Sequence, residues 1–451
     1  MGQIALIGQI ELAYERQRYA MRCRFNSMWA KLKRKYENFS KWIYPHVEYI
    51  HELWLDYVFD EDPVKTGEDL EAASEIRDWK KASIRFLALH PCSPFIYVAL
   101  ATRMDTVLLL HENELTCTQF KDHANQRDIT CMAFRSFTCF ELAVGCAAGI
   151  CLWSRNKDRY TLRMLTDKRH VYVTSLAWAE NGLILISASL GCGNIIFWQP
   201  EMGEKMRFLL GGRNGFSLLS YTPDPGFIFY AYSDAGASFC KYDGMKLFEG
   251  TNILSEKRIQ SSTWTQCGSH LFFVEKDSCL LYACVAFPDE GVVLDPDVLW
   301  KPQVVADLDR VTCSGQHRAC GHIQSIAIDP LDIYMAIIFK NQPFVLICFL
   351  ALSQVLPVRI LPRNYVTYNG NSTEKEQVYP TCVKFTVCQS KPVRSLVIAW
   401  STGQLQRLVY NAQSPEEALS RMSTNSNLNQ LKWTNYLTIG YGPESEMVVF
   451  K

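Results

Sequence analysis

The sequence predicts an all-β chain: a closed ring of four-stranded sheets behind an α-helical extension. Three observations carry this. First, His170 to Trp198 contains the outline of one such sheet: apolar Val173–Trp178, the turn signal Glu180-Asn181-Gly182, apolar Leu185–Ser189, a second turn at Gly191-Cys192-Gly193, and Asn194–Trp198 ending on an aromatic. Second, a strand apolar on both faces needs a neighbouring sheet on each side, so the unit requires copies of itself. Third, comparable units end at Leu110, Trp153, Trp198, Tyr242 and Tyr282, spaced by about 40–45 residues, which is the period of a WD40-type propeller blade. The expected fold class is therefore a seven-bladed WD40-type β-propeller with an N-terminal helical extension.

In chain order, residues 1–80 form the expected extension. Gln3–Ile7 reads as a short strand, a candidate for closing the ring. From Glu11 to about Trp54 the chain is poor in Gly and Pro, with a loose apolar stripe of Leu12, Tyr19, Met28, Leu32, Trp42 and Ile43. The first 45 residues are basic (Arg16, Arg18, Arg22, Arg24, Lys31, Lys33, Arg34, Lys35 and Lys41, against Glu11, Glu15 and Glu37); the following stretch, Asp56 to Glu75, is acidic. Such charge runs read as solvated helix faces, as a partner-binding or membrane-surface helix, or, around Lys31–Lys35, as a localisation signal.

Residues 81–412 hold the expected propeller. The first unit runs Ile84–Pro91, Phe95–Ala101 and Thr106–Leu110. The second runs Ile129–Phe134, Glu141–Cys146 and Gly149–Trp153. The third is the unit ending at Trp198. The fourth runs Phe216–Tyr221, Gly226–Tyr232 and Ala237–Tyr242, and the fifth Ser261–Thr265, His270–Val274 and Cys279–Ala283. The sixth (Ile323–Asp329, Ile333–Phe339, Phe344–Leu350) follows an expected insertion containing Val304–Leu308. The seventh (Cys382–Val387, Val393–Trp400, Gln404–Tyr410) follows a polar stretch, Asn364–Glu376, expected as an exposed loop. Residues 413–451 read as a tail, with a second candidate closing strand near Leu437–Tyr441.

Composition narrows the function classes. The 451 residues carry 46 Lys and Arg against 46 Asp and Glu, so phosphate neutralisation offers no general nucleic-acid affinity and no direct nucleic-acid partner is expected. The first residues show no basic n-region followed by an apolar core, so no secretory signal is expected, and the longest apolar runs, such as Phe344–Leu352, fall short of the roughly 20 residues a membrane helix needs. Seventeen scattered cysteines read as reduced, buried thiols of a cytosolic or nuclear protein. Asn371-Ser372-Thr373 then reads as a chance glycosylation match.

No catalytic frame emerges. There is no Walker lysine, no complete dinucleotide loop and no GxSxG nucleophile, so neither catalytic nor cofactor-binding residues are assigned and no cofactor is expected. Cys313, His317, Cys320 and His322 carry metal-ligating side chains within ten positions, but lack a CxxC pair or HxxxH end, and are read as a loop with free thiols rather than a metal site. WD40 blades often contain a buried Asp-His-Ser/Thr-Trp network. The third unit offers His170, Ser187 and Trp198, with Cys192 in the place of the Asp; Ala147 and Gly236 occupy that place in the second and fourth units. His170 is accordingly read as structural.

Several stretches in fixed order resemble the aladin family, WD40-repeat nucleoporins, in a divergent, insect-like form. They are Tyr44-Pro45-His46, His90-Pro91 with Val98-Ala99-Leu100, Val173–Ala179 with Leu185–Ser189, Val305–Leu308, and Ala399-Trp400-Ser401-Thr402-Gly403. The likeness covers roughly residues 12–412. It departs from the family at both ends, where the Pro-rich segments are missing. The resemblance implies a non-enzymatic scaffold of the nuclear pore complex at the nuclear envelope. The implied partners are a transmembrane nucleoporin, which tethers it, and other nucleoporins. It further implies support of nucleocytoplasmic transport and a link to the mitotic spindle. A WD40 adaptor of another assembly, such as a ubiquitin-ligase substrate receptor, is the alternative.

Overall fold

The computed structural model describes residues 67–411, 432–441 and 447–450, apart from 77–78, 80, 92–96, 112–116, 120–122, 139, 157–158, 210–214, 224–225, 244–245, 248–250, 254, 287–300, 314–315, 353–357, 369–377 and 388–392. Most of the expected N-terminal extension, Gln3–Ile7 included, lies outside the described residues.

A short helix, α1 (Gly67–Ala73), precedes seven antiparallel sheets built from consecutive strands. Sheet one is β1 (Ile84–Leu89), β2 (Tyr97–Thr102), β3 (Val107–His111) and β4 (Cys117–Gln119). Sheet two is β5 (Cys131–Phe134), β6 (Glu141–Cys146), β7 (Gly149–Asn156) and β8 (Arg159–Leu165). Sheet three is β9 (Val173–Trp178), β10 (Leu185–Ser189), β11 (Asn194–Gln199) and β12 (Glu204–Leu209). Sheet four is β13 (Phe216–Tyr221), β14 (Phe227–Tyr232) and β15 (Ala237–Asp243), with β16 (Lys246–Leu247) and β17 (Thr251–Ile253) both pairing β15. Sheet five is β18 (Ile259–Trp264), β19 (His270–Glu275), β20 (Leu280–Val285) and β21 (Gln303–Asp307). A hairpin, β22 (Arg310–Cys313) and β23 (Gln316–Ala319), leads to sheet six: β24 (Ile323–Ile328), β25 (Tyr334–Phe339), β26 (Phe344–Ala351) and β27 (Arg359–Thr367). Sheet seven is β28 (Pro380–Val387), β29 (Val393–Trp400), β30 (Gln404–Asn411), β31 (Lys432–Tyr441) and β32 (Met447–Phe450).

The first strand of each sheet lies innermost, and neighbouring innermost strands approach one another all the way round: β1 by β5, β5 by β9, β9 by β13, β13 by β18, β18 by β24, β24 by β28, and β28 by β1. The chain is a seven-bladed β-propeller. Its core is seven apolar seams, one between each pair of adjacent blades. Ala88, Val107 and Leu109 meet Met132, Val144 and Trp153 between blades one and two. Leu152 and Ala143 meet Leu185, Ile196 and Trp198 between two and three. Ile84, Leu87 and Leu108 meet Val397, Ala399 and Leu405 where the last blade meets the first. Every blade thus hides both faces, as the two-sided apolar strands demand.

Two stretches fold differently from their sequence reading. Val304–Leu308, expected within an insertion, contributes the outer strand β21 of blade five; its register against β20 runs Leu281↔Ala306 and Tyr282↔Val304. Asn364–Thr367, expected in an exposed loop, is the end of β27, paired with Phe344–Ile347. Both belong to outer strands, which pair on one edge only and show weak alternation: β21 is exposed or half-exposed throughout. Residues 437–441 lie in β31, which pairs β30 inside blade seven.

The ring has two faces. The turns joining second to third strands, and the links into each next blade, open on the upper face. The turns joining first to second and third to fourth strands open on the lower one.

Candidate functional site

The third blade contains the network singled out in the sequence. Trp198 Nε1–H donates to Ser187 Oγ at 2.8 Å, and Ser187 Oγ lies 2.7 Å from His170 Nε2. Cys192 Sγ stands 3.6 Å from His170 Nδ1 and 3.7 Å from the Asn194 carbonyl. The indole can only donate, so Ser187 Oγ accepts from it; the direction of the Ser187–His170 and His170–Cys192 contacts is set by the imidazole tautomer. Cys192 occupies the acid's position with a thiol that burial keeps neutral. Burial lowers the His170 imidazole from an ordinary 6.5 to about 3, a shift that Asp167 opposes and Arg207 and Lys205 reinforce. Asp167 is itself engaged by both cations, at 2.8 Å from Lys205 and 2.6 Å from Arg207. All four network side chains are buried, which makes this a structural strut.

A pH prediction follows. In the unfolded chain the imidazole takes a proton near 6.5; in the folded chain it does so only near 3. The unfolded state therefore binds more protons between those values. Stability attributable to His170 is intact above pH 6.5 and falls as pH drops through the window, by about 1.4 kcal/mol per unit. Urea unfolding at stepped pH is expected to show a steeper acid loss in the wild type than in His170→Gln. Cys192→Asp, which sets a carboxylate against Nδ1, is expected to raise the imidazole pKa in a histidine NMR titration.

Other blades replace the network differently. In blade two, Trp153 Nε1–H donates to Gln126 Oε1 at 2.8 Å, and Gln126 Nε2 donates to the Asp105 carbonyl of blade one. In blade seven, Trp400 donates to Gln406 Oε1 at 2.7 Å. Gly236 holds φ of +87° at its turn, a conformation an aspartate would adopt only with strain.

The upper face carries a feature that sequence reading missed. The segment after α1 turns into the mouth of the central channel. Glu75 Oε1 accepts from Ser261 Oγ of β18 and, at 2.9 Å, from Ser325 Oγ of β24. Gln260 Nε2 donates to the Ser74 carbonyl at 3.1 Å, and Gln324 Nε2 to the Glu75 carbonyl. The donors are the same tripeptide in consecutive blades, Ile259-Gln260-Ser261 and Ile323-Gln324-Ser325, and each opens with a register shift in its innermost strand. That repeat was the available signal; it is too short to notice without the alignment of blades. Arg258 Nη1 donates to the Ala73 carbonyl at 2.8 Å and Nη2 to Gln260, while burial pulls its guanidinium down to about 10. Leu70, Ala73, Ile76 and Trp79 pack with Leu190 of blade three, and Arg85 sits 4.9 Å over the Trp79 ring.

Beside this plug lies a cavity of about 640 Å³, bounded by Asp69 and Ala73 of α1, Leu190, Asp234, Arg258 and Lys276. Its wall mixes both charge signs. Glu75→Ala is expected to raise amide exchange across α1 by about tenfold or more, because hydrogen bonds to a carboxylate are among the stronger ones. Amides of the central strands are expected to keep wild-type protection. Uniform exchange in α1 of both proteins would show that the clamp holds nothing.

The metal-ligating quartet is not assembled by its described members. Cys320 is fully buried in the seam between blades five and six, whereas His322 is half exposed, with Nδ1 3.9 Å from Asp277. The side chains of Cys313 and His317 lie outside the described residues. Among the described residues no three His, Cys, Asp or Glu side chains converge as metal ligands would. All the described cysteines are free thiols; burial pushes Cys131, Cys240, Cys284 and Cys382 up to about 12, so they stay protonated.

Blade order, strand count and the His170–Ser187–Trp198 strut define a propeller with a WD40-type blade. No family model matches the chain. Among solved structures, the chain is similar to the β-propeller domain of Cps50 (Swd1) from Myceliophteria thermophila, at 12% identity and a TM-score of 0.47, over 71% of this chain and 96% of that one.

Proposed function

We propose that this chain is a non-enzymatic scaffold subunit of the nuclear pore complex, tethered there by a transmembrane nucleoporin. In this reading it supports nucleocytoplasmic transport, with a further role at the spindle. The observation that carries the reading is the ordered set of segments resembling the aladin family, from Tyr44-Pro45-His46 to Ala399–Gly403. A seven-bladed propeller suits an adaptor, because many turns are held on one rigid frame and several partners can dock at once. Two of the resembling segments, Val173–Ala179 and Leu185–Ser189, include the paired strands β9 and β10, whose register sets the buried strut. No helix among the described residues is long and apolar enough to cross a membrane, so in this reading a partner supplies the membrane attachment. The polar clusters described above are structural bonds, and the chain's work in this reading is contact.

The test is localisation together with partner capture. A tagged full-length chain is expected to concentrate at the nuclear rim, to co-purify with a membrane nucleoporin, and to disperse when that anchor is depleted. An even cytoplasmic distribution, or co-purification with a cullin-type assembly, would overturn the reading.

A further inference from the structure

Three sulfur atoms gather in blade two, beside its seam with blade one. Cys146 ends β6 and Cys151 lies near the start of β7, so the turn at Ala147-Ala148 is all that separates their strands. The register pairs Cys146 with Gly149 and Val144 with Cys151, which makes the two thiols diagonal neighbours on one face. Met164 of β8 stands directly opposite Cys151. The two Sγ atoms are 3.9 Å apart, and Cys151 Sγ lies 3.3 Å from Met164 Sδ. Both cysteines belong to the apolar cluster that holds Val107, Leu109 and Val144, and Met164 packs against it.

Diagonal cross-strand positions lie about 7–8 Å apart, beyond the roughly 4.4–6.8 Å between Cα atoms that a disulfide spans. The thiols meet without being placed to join. A shared ion suits them better: a metal about 2.3 Å from each of two thiolates holds the sulfurs about 4 Å apart when its ligands are trigonal. Met164 needs to swing outward by a fraction of an ångström, which its flexible, half-buried chain permits. Ligand number and softness choose the metal. Zinc takes four ligands from cysteine, histidine and carboxylate side chains, and among the described residues no third such group converges here. Thiolates with a thioether are the donors that select Cu(I). The site also lies close to solvent on the upper face. Cys146 Sγ is 3.2 Å from the Gly149 carbonyl and 3.3 Å from the Asn125 carbonyl, and both Asn125 and Ala148 are exposed.

We propose that Cys146, Cys151 and Met164 form a site for one Cu(I) ion, held by two thiolates and a thioether. Binding releases both thiol protons to solvent and leaves the oxidation state of copper unchanged. The site does not depend on the scaffold reading, whose test is localisation; failure of either leaves the other standing.

The test titrates the reduced, metal-free full chain with Cu(I) under argon, in competition with the chromophoric chelator bicinchoninate. Cys146→Ala/Cys151→Ala, Met164→Leu and Cys267→Ser are titrated beside the wild type. Leucine keeps the volume of Met164, and Cys267, an exposed thiol, controls for chance binding. One equivalent of copper is expected to be held against the chelator by the wild type and by Cys267→Ser, and to be lost in the double variant. Its affinity is expected to fall about tenfold or more in Met164→Leu. X-ray absorption at the copper edge of the loaded wild type is expected to show sulfur ligands alone, at about 2.3 Å. A wild type that holds no equivalent overturns the proposal, as does an equivalent retained by a folded double variant. Nitrogen or oxygen in the copper shell, or displacement of Cu(I) by equimolar Zn(II), also overturns it. If the double variant does not fold, Met164→Leu and the absorption spectrum decide: wild-type affinity in Met164→Leu overturns the three-sulfur site.

Discussion

Trp198→Ala is expected to destabilise the protein by about 3–5 kcal/mol, the range for deleting a large buried ring. The indole is 4% exposed and lies in the seam between blades two and three, beside Leu152, Leu185 and Ile196. Two effects add. The ring leaves a cavity in a seam that both blades share, so neither sheet can close it alone. Ser187 Oγ also loses its donor, and with it the order of the His170 strut. Trp198→Phe separates these effects, because most of the ring volume remains while the N–H is lost; about 1 kcal/mol is expected there. Urea unfolding of the three proteins side by side measures both. An alanine variant with the wild-type midpoint would show that the indole does not fill the seam. Ser187→Pro is expected to yield no soluble protein, since Ser187 pairs with Leu176 on one side and Ile196 on the other, in the middle of the sheet.

Arg135→Met is expected to cost about 3–5 kcal/mol, the range for removing one partner of a buried ion pair. The pair is Arg135 with Glu141, whose side chains are 8% and 9% exposed. Without the guanidinium, the Glu141 carboxylate stays buried with no counter-charge, and the Gly182 carbonyl loses the donor that joins blade three to blade two. Glu201, largely exposed, loses a partner at little cost. Arg135→Met/Glu141→Leu is expected to regain much of the loss, because the penalty comes from an uncompensated charge. A double variant as unstable as the single one would move the effect to the 5.2 Å stacking of Arg135 on Trp178, or to the Gly182 bond. A single variant with wild-type stability would remove Arg135 as a link between blades two and three.

The inner three strands of each blade were legible because they are apolar on both faces and separated by turn residues. The buried network of blade three was legible down to its members, since His170, Ser187, Cys192 and Trp198 stand at fixed offsets from strands that could be read. Outer strands were not legible in the same way. β21 and β27 are half-exposed, take part in one ladder only, and so carry neither a two-sided apolar run nor a clean alternation. The Glu75 clamp was illegible for another reason: its parts lie 186 and 250 positions apart, and an acidic residue in an acidic run reads as solvated.

By itself the amino-acid order determined the repeating sheet, its approximate period, the ring that such two-faced sheets must close, and the histidine strut inside one blade. All of these depend on local pattern: turn chemistry, apolar period and short offsets. Tertiary structure alone decided which polar residues meet. It brought Glu75 to two serines of separate blades and Arg135 to a carbonyl of the next blade. Ring closure sets those distances, and closure depends on how all seven sheets stack, which no single stretch of sequence encodes.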